Sequence, residues 1–251
     1  MAAPAEPEDM IMPDNQVRGR HRRRILHTSD LHLDRAGDKA CDSLTAVVDL
    51  AIGQHVDMVI IAGDLFDHNR IENELVDFVV EQLQRLPTPV VILPGNHDCL
   101  VPGSVYEEAG FQDSDNIHLF TSPQGGTLDL PGLKVSIWAK CINSYDVDVL
   151  PLEGMPHPKR NGWWHVAVGH GYYVDGESPI FPSYHIRRAE VIDSGWDYIA
   201  LGHLPIFRGV CLEPVTYYCG SPVMSGSVAL VELDEEVGVR VTQCMLERKV
   251  T

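Results

Sequence analysis

The sequence predicts an α/β protein. Apolar runs too short and too β-branched to be helices alternate with amphipathic helical stretches over residues 25–98, the pattern of a parallel sheet with right-handed crossovers. Five of the apolar runs along the chain also stop at glycine or an acid followed by polar residues: Asp30-Leu31-His32, Gly63-Asp64, Gly95-Asn96-His97-Asp98, Gly169-His170 and Gly202-His203. In open α/β sheets the carboxyl ends of strands are where ligands bind.

Each element has its own reason. The first 23 residues are rich in Pro, Ala and acids and have no apolar period. They are expected to form a disordered tail, leaving residues 24–251 as one domain. Ile25-Leu26-His27-Thr28 reads as the first strand. Leu44, Val47, Val48 and Ala51 follow the i, i+3, i+4, i+7 spacing of a helix. Met58–Ala62 is a second buried strand; Ile71, Leu75, Phe78, Val79 and Leu86 form a second helical stripe; and Val90-Val91-Ile92 is a third strand, stopped at Pro94-Gly95. Beyond Asp98 the runs Ile117–Phe120, Thr127–Leu130 and Leu133–Ala139 are short and separated by Gly and Pro turns, suggesting a more antiparallel second sheet. Residues 143–163 read as a polar, Pro-rich surface connection. His165–His170 and Tyr198–His203 repeat the strand-then-Gly-His pattern, with a weaker helical segment between them around Tyr184–Ile192. Tyr217-Tyr218, Val228–Leu233 and Val237–Leu246 close the domain as hairpin-like strands.

Composition narrows the function classes. The net charge of −17 repels phosphate backbones over most of the surface, so nucleic acid would need a local basic patch, a metal-neutralised cleft or a partner. Arg22-Arg23-Arg24 is such a patch in miniature, or else a solvated lead-in to the first strand. No run of 18 apolar residues is present to span a membrane, and no secretory signal is visible. The six cysteines form no C-x-x-C pair; free buried thiols in a reducing cytosol are expected, and a cytoplasmic location with them.

The strand-end residues carry the chemistry. Asp30 and His32 are two apart, so on an extended segment they point the same way. Carboxylates, imidazoles and one amide form a mixed nitrogen and oxygen donor set, suited to manganese, iron or zinc and not to calcium. Any single Asp here would serve as a helix cap and any single His as a satisfied core residue. Five such termini together point to a site. Trp163-Trp164 and Tyr172-Tyr173 flank the Gly169-His170 strand, where a ring would stack on a base or pack in the core.

The ordered set D-x-H, G-D, G-N-H-D, G-H, G-H resembles the calcineurin-like metallophosphoesterases. Asp197–His203 together with Tyr218-Cys219-Gly220-Ser221-Pro222 looks most like the SbcD-type DNA repair nucleases. The resemblance implies a four-layer α/β/β/α sandwich with two divalent metals, manganese first and iron or zinc as alternatives, held between loops at the sheet ends. It places Asp30, His32 and Asp64 on one metal, with Asp64 bridging to a second completed by Asn96, His170 and His203. His97 would face the scissile phosphate, with Asp98 orienting its ring. The implied activity is phosphate-ester hydrolysis by activated water, with a phosphodiester or nucleic-acid substrate. A small-molecule (nucleotide) phosphatase or phosphodiesterase is a competing reading, and so is a non-catalytic scaffold with a decayed metal site. Retention of the non-ligand His97 beside all the other groups speaks against the scaffold. One departure stands out: the family ends this pattern as Gly-His-x-His, whereas here it is Gly202-His203-Leu204-Pro205. Proline cannot coordinate through its side chain, so the first metal position is expected to be weakened, with His185 and His68 as weak candidates to replace the missing imidazole.

Overall fold

The structure, a computed structural model, describes residues 20–107, 109–159, 162–176 and 183–247. Two six-stranded sheets lie face to face. The first is built from β1 (Arg23–Thr28), β2 (Met58–Ala62), β3 (Val90–Leu93), β4 (Ile117–Leu119), β13 (Ser227–Asp234) and β14 (Gly238–Met245), in the order β14-β13-β1-β2-β3-β4. The second holds β5 (Gly126–Leu130), β6 (Val135–Ala139), β7 (Trp164–His170), β10 (Tyr198–Gly202), β11 (Phe207–Leu212) and β12 (Val215–Cys219), in the order β11-β12-β10-β7-β6-β5. A small sheet pairs β8 (Tyr172–Val174) with β9 (His185–Arg187).

Strand periodicity explains the layering. Leu26, Val59, Ile61, Val90 and Ile92 point outward from the first sheet, onto α1 (Lys39–Gly53) and α2 (Asn73–Gln84). Their neighbours Ile25, Met58, Ile60, Val91 and Leu93 point inward, onto Ile137, Val166, Val168 and Ala200 of the second sheet. Strands buried on both faces read as unbroken apolar runs, which is why β1, β2 and β3 are legible in the sequence. Helix α1 starts at Asp38, whose carboxylate accepts from the Ala40 and Cys41 amides.

The second sheet differs from expectation. Its centre, β12-β10-β7-β6, is parallel, and only the flanking β11 and β5 run antiparallel. The run at Ile117 is not part of it; β4 extends the first sheet, parallel to β3. The closing hairpin β13–β14 also returns to the first sheet, where β13 pairs antiparallel with β1. The segment around Tyr184–Ile192 divides into β9 and the single-turn helix α4 (Arg188–Val191), because Ile186 and Val191 are drawn onto the outer face of the second sheet. That face is covered by α4, Leu152 and Trp196, a thinner layer than the helices over the first sheet. A short helix α3 (Ala109–Gln112) follows a 3₁₀ turn at Val105–Glu107.

Residues 1–19 of the expected tail lie outside the described residues, but 20–23 belong to the domain. Arg20 pairs with Asp197 and stacks over the Trp164 ring, and Arg23 opens β1. The arginine run is not a free basic patch. Arg22 reaches Glu232, Arg23 donates to the Leu133 carbonyl, and Arg24 donates to the Gln54 carbonyl. Of the six free thiols, Cys41, Cys99, Cys141 and Cys219 are buried, while Cys211 and Cys244 are only partly so.

Candidate metal centre

All six expected ligands and His97 lie together where the ends of β1, β2, β3, β7 and β10 meet. Asp30, His32 and Asp64 form one group of donor atoms within 4.8 Å of one another, and Asp64, His170 and His203 form another. Asp64 belongs to both. Asn96 completes the second group, its Oδ1 lying 3.0 Å from His170 Nε2 and 3.0 Å from His203 Nδ1.

The backbone is bent to bring this about. Asp30, His32, Asp64 and His203 all have positive φ, at 54°, 49°, 49° and 95°, a region most side chains avoid and one that collects at functional sites. The turns after β1 and β2 are zipped by Asp30 N–H to Gly63 O and His32 N–H to Asp64 O. The glycines leave the room. A Cβ on Gly63 would sit 2.0 Å from His170 Nδ1, one on Gly95 2.1 Å from Asp64 Oδ1, and one on Gly202 1.8 Å from the Ala62 carbonyl.

Hydrogen bonding fixes how the imidazoles face. His170 Nδ1 donates to the Ala62 carbonyl at 2.8 Å, and His32 Nδ1 donates to Asp67 Oδ1 at 2.9 Å. Each ring therefore turns an Nε2 lone pair toward carboxylates: His170 to Asp64 Oδ2 at 3.1 Å, His32 to Asp64 Oδ2 at 3.8 Å and Asp30 Oδ1 at 4.0 Å. Lone pairs facing carboxylate oxygens require a cation between them or a proton. Asp30 and Asp64 are both 2% exposed, and among the described residues neither has a lysine or arginine partner. Two buried carboxylates without a fixed cation are costly unless a metal compensates them. The donor set thus fits divalent metal.

The proton affinities carry the same signature. Burial pushes His170 down, but the Asp64 carboxylate outweighs it, with Asp30 behind, and the imidazole is raised to about 9. Burial works to raise the Asp64 carboxyl, yet His170 beside it and the His97 amide hold it below the usual range. Asp30 is raised by burial, with the Asp64 charge adding to it. His203 falls to about 4 through burial and the neighbouring His170. In the absence of metal, a proton on His170 takes the place of the cation.

His97 lies at the exposed edge, its ring 4.7 Å from that of His32. Its amide donates to Asp64 Oδ1 at 3.0 Å, and its Nδ1 donates to the Asp67 carbonyl at 2.9 Å. Nε2 is thereby the nitrogen left for a substrate. The expected role of Asp98 is corrected. Its carboxylate is fully buried and turned away from the ring, accepting from the Gly95 amide at 2.7 Å, the Phe66 amide at 3.1 Å and the Tyr106 hydroxyl at 2.6 Å. Burial, with Asp64 nearby, lifts it to about 6. Asp98 staples the turn that carries Asn96 and His97; Asp67 orients the rings.

Asp67 is the residue that reading the sequence missed. Its signal was an acid three positions past Asp64 in the same loop, no different on paper from the half-buried Asp34. His68 instead binds Asp34 at 3.0 Å, and His185 lies in β9, in neither donor group. Neither fills the place that Pro205 leaves, and the described donor group around Asp30 holds three residues. Cys99 is a buried thiol, raised to about 11 by burial. Trp164 is core, its indole donating to the His21 carbonyl.

Stacked sheets with strand-end loops that converge on a shared carboxylate place a mixed His, Asp and Asn donor set at one end of the sandwich. The family model for calcineurin-like phosphoesterases matches residues 23–207, and the chain belongs to that family. It is 28% identical over 223 residues to the uncharacterised metallophosphoesterase YhaO of Bacillus subtilis, covering 78% of this chain and 52% of that protein. One component of the nuclease SbcCD of Staphylococcus epidermidis is 24% identical, covering 72% of this chain and 56% of that protein. The Mre11 double-strand break repair protein of Sulfurisphaera tokodaii is 31% identical over 110 residues, covering 39% of this chain and 28% of that protein. The chain spans about half the length of the curated relatives that it matches over most of its own length. TT1561 of Thermus thermophilus shares the fold, with TM-score 0.61, 13% identity and coverage of 90% of this chain and 99% of that one. So does a dimetal phosphatase from Danio rerio, with TM-score 0.52, 10% identity and coverage of 89% and 99%.

Proposed function

We propose that the chain is a phosphodiesterase of the SbcD-like branch, using two divalent cations, manganese foremost and iron or zinc as alternatives. The observation that carries this reading is Asp64, one carboxylate belonging to two donor groups, with the exposed His97 at their edge. Asp30, His32 and Asp64 would hold one cation; Asp64, Asn96, His170 and His203 would hold the other. Bound cations in such a pair supply Lewis-acid polarisation of the phosphoryl group and an acidified water as nucleophile.

The chain's own groups do the rest. The Ala62 carbonyl and the Asp67 carboxylate keep His170 and His32 in one tautomer, so their lone pairs face inward without reorganisation. His97, anchored through Nδ1, presents Nε2 to the substrate. When protonated it donates to a phosphoryl oxygen or to the departing alkoxide, a charge-assisted hydrogen bond that strengthens as negative charge develops. No side chain needs to attack phosphorus.

Diester specificity draws on the relatives named as nucleases. A second reading, a phosphatase or phosphodiesterase for a small substrate, is favoured by the charge of −17 and by an arginine run tied up in internal bonds. One assay separates the readings: hydrolysis of bis(p-nitrophenyl) phosphate beside p-nitrophenyl phosphate in manganese, with Asp64→Asn as control. Diester hydrolysis that outpaces monoester hydrolysis, and that falls in the variant by more than the roughly 100-fold cost of losing a supporting group, is expected. Monoester preference would establish the second reading instead.

A further inference from the structure

We propose that Tyr145 contacts the substrate, as an aromatic platform that stacks on the organic group of the phosphoester beside the metal centre. The inference rests on the phosphoesterase reading of that centre. Tyr145 is 60% exposed, a large apolar ring left in water, yet it is not loose. Asn69 Nδ2 donates to its hydroxyl at 3.2 Å and also to the Cys99 carbonyl at 2.9 Å. Asn69 is itself held from the other side, its Oδ1 accepting from Ser104 Oγ and the Val105 amide, each at 3.1 Å.

Those anchors place the ring. Asn69 lies two residues past Asp67, and Cys99 two residues past His97, and these are the two residues joined by the His97 Nδ1 to Asp67 carbonyl bond. The hydroxyl of Tyr145 is therefore tied to both loops that set the substrate-facing imidazole. The segment carrying the ring is fixed at each end: the Leu100 amide donates to the Ile142 carbonyl, and the Tyr184 amide donates to the Val147 carbonyl, each at 2.9 Å. Tyr184 in turn is buried and lies edge-on to the His203 ring at 6.1 Å. Residues 142–147 thus run from the His97 loop to Tyr184, the residue packed on the His203 ring, and carry Tyr145 along the rim of the centre.

A ring with its polar end bonded, its backbone held and its face open is pre-organised to bind a flat apolar group, because little further entropy is lost on contact. The phosphate would be held by the metal centre, which leaves the ring for what the phosphate is attached to. A nucleobase or an aryl group fits that description; an alkyl group does not.

The test compares the wild-type, Tyr145→Ala and Tyr145→Phe proteins in manganese on bis(p-nitrophenyl) phosphate and methyl p-nitrophenyl phosphate, which share a leaving group. We expect Tyr145→Ala to lose about tenfold in kcat/KM on the bis-aryl ester, mostly through KM, with the methyl ester within about twofold, and Tyr145→Phe to stand between. Equal losses on both esters with the tighter binding of nucleotide over phosphate left intact would mark Tyr145 as a structural pin and overturn the proposal, as would no loss on either; equal losses with that excess gone place the ring on the shared p-nitrophenyl group. Binding of adenosine monophosphate and inorganic phosphate to the manganese-loaded protein, by calorimetry, keeps the two readings apart. If wild type hydrolyses neither ester but binds the nucleotide more tightly than phosphate, and Tyr145→Ala removes only that excess, the platform stands and the hydrolase reading fails. A nucleotide that binds no more tightly than phosphate overturns the platform.

Discussion

At the scale of single residues, the distribution of work between Asp67 and Asp98 is the clearest result. Both acids follow a candidate ligand closely in sequence, and only packing separates them. Asp98 is drawn under the turn because three donors wait for it there, the Gly95 and Phe66 amides and the Tyr106 hydroxyl. Asp67 stays at the rim, where its carboxylate meets His32 and its carbonyl meets His97. Asp67→Ala should therefore lower manganese affinity or kcat by about 10–100-fold, and Asp67→Asn, which keeps an acceptor for His32 Nδ1, by less. Manganese titration beside steady-state kinetics checks this; unchanged affinity and kcat would mean that the Asp67 backbone alone is sufficient. Pro205 makes the complementary case. The group around Asp30 shares Asp64 and adds two ligands of its own, against three added by the group around His170 and Asn96. Chelator-treated protein should bind one manganese tightly and a second weakly, and Pro205→His should tighten the weaker step alone. Two equal, tight sites in the wild-type isotherm would sink that expectation.

At the scale of elements, what sequence reveals is what burial imposes. The strands β1, β2, β3, β7 and β10 are covered on both faces, so their composition had no freedom, and their polar stops were equally plain. The other pieces were hidden because their partners are distant in the chain. β4 is three residues long with a histidine at its centre, and only its parallel pairing with β3 assigns it to the first sheet. β8 and β9 exist through each other, and the edge strand β11 alternates too little to announce itself. The strand-end glycines are a different kind of evidence, since the sequence shows where they are but not what presses on them. Gly202 packs against the backbone of β2, whose Ala62 carbonyl would lie 1.8 Å from an added Cβ. Gly202→Ala must push the two sheets apart at the site, and should destabilise by more than the roughly 1–3 kcal/mol of ordinary overpacking. Gly37→Ala is the control: its φ is +77° but nothing lies within 4 Å of the added carbon, so about 1 kcal/mol of backbone strain is expected. Urea melts of both variants compare the two costs. Similar midpoints would show that the sheets give way without penalty.

At the scale of the whole molecule, two apolar sheet faces meet, and the interface contains a titratable group that composition could not assign. His27 shares the inward face of β1 with Ile25, and in the sequence it was one more polar residue near the end of a strand. It is fully buried, with Nδ1 2.8 Å from the hydroxyl of Tyr198 on the opposite sheet. Burial drives its imidazole from 6.5 down to about 3, against a smaller opposing pull from the Leu201 carbonyl. The unfolded chain takes up a proton there once pH falls below about 6.5, while the folded chain refuses it until about pH 3. The contribution of His27 to stability is thus complete above about pH 6.5 and is lost as pH falls toward 3, amounting to about 2 kcal/mol already at about pH 5. His27→Gln keeps a partner for Tyr198 and cannot titrate. With metal removed from both proteins, so that ligand protonation is common to both, wild type should lead the variant at neutral pH. That lead should shrink by about 2 kcal/mol in urea melts near pH 5. A constant lead across that range would mean that the folded protein accepts the proton, with water reaching the space between the sheets that the packing of Ile25, Val166 and Tyr198 otherwise closes.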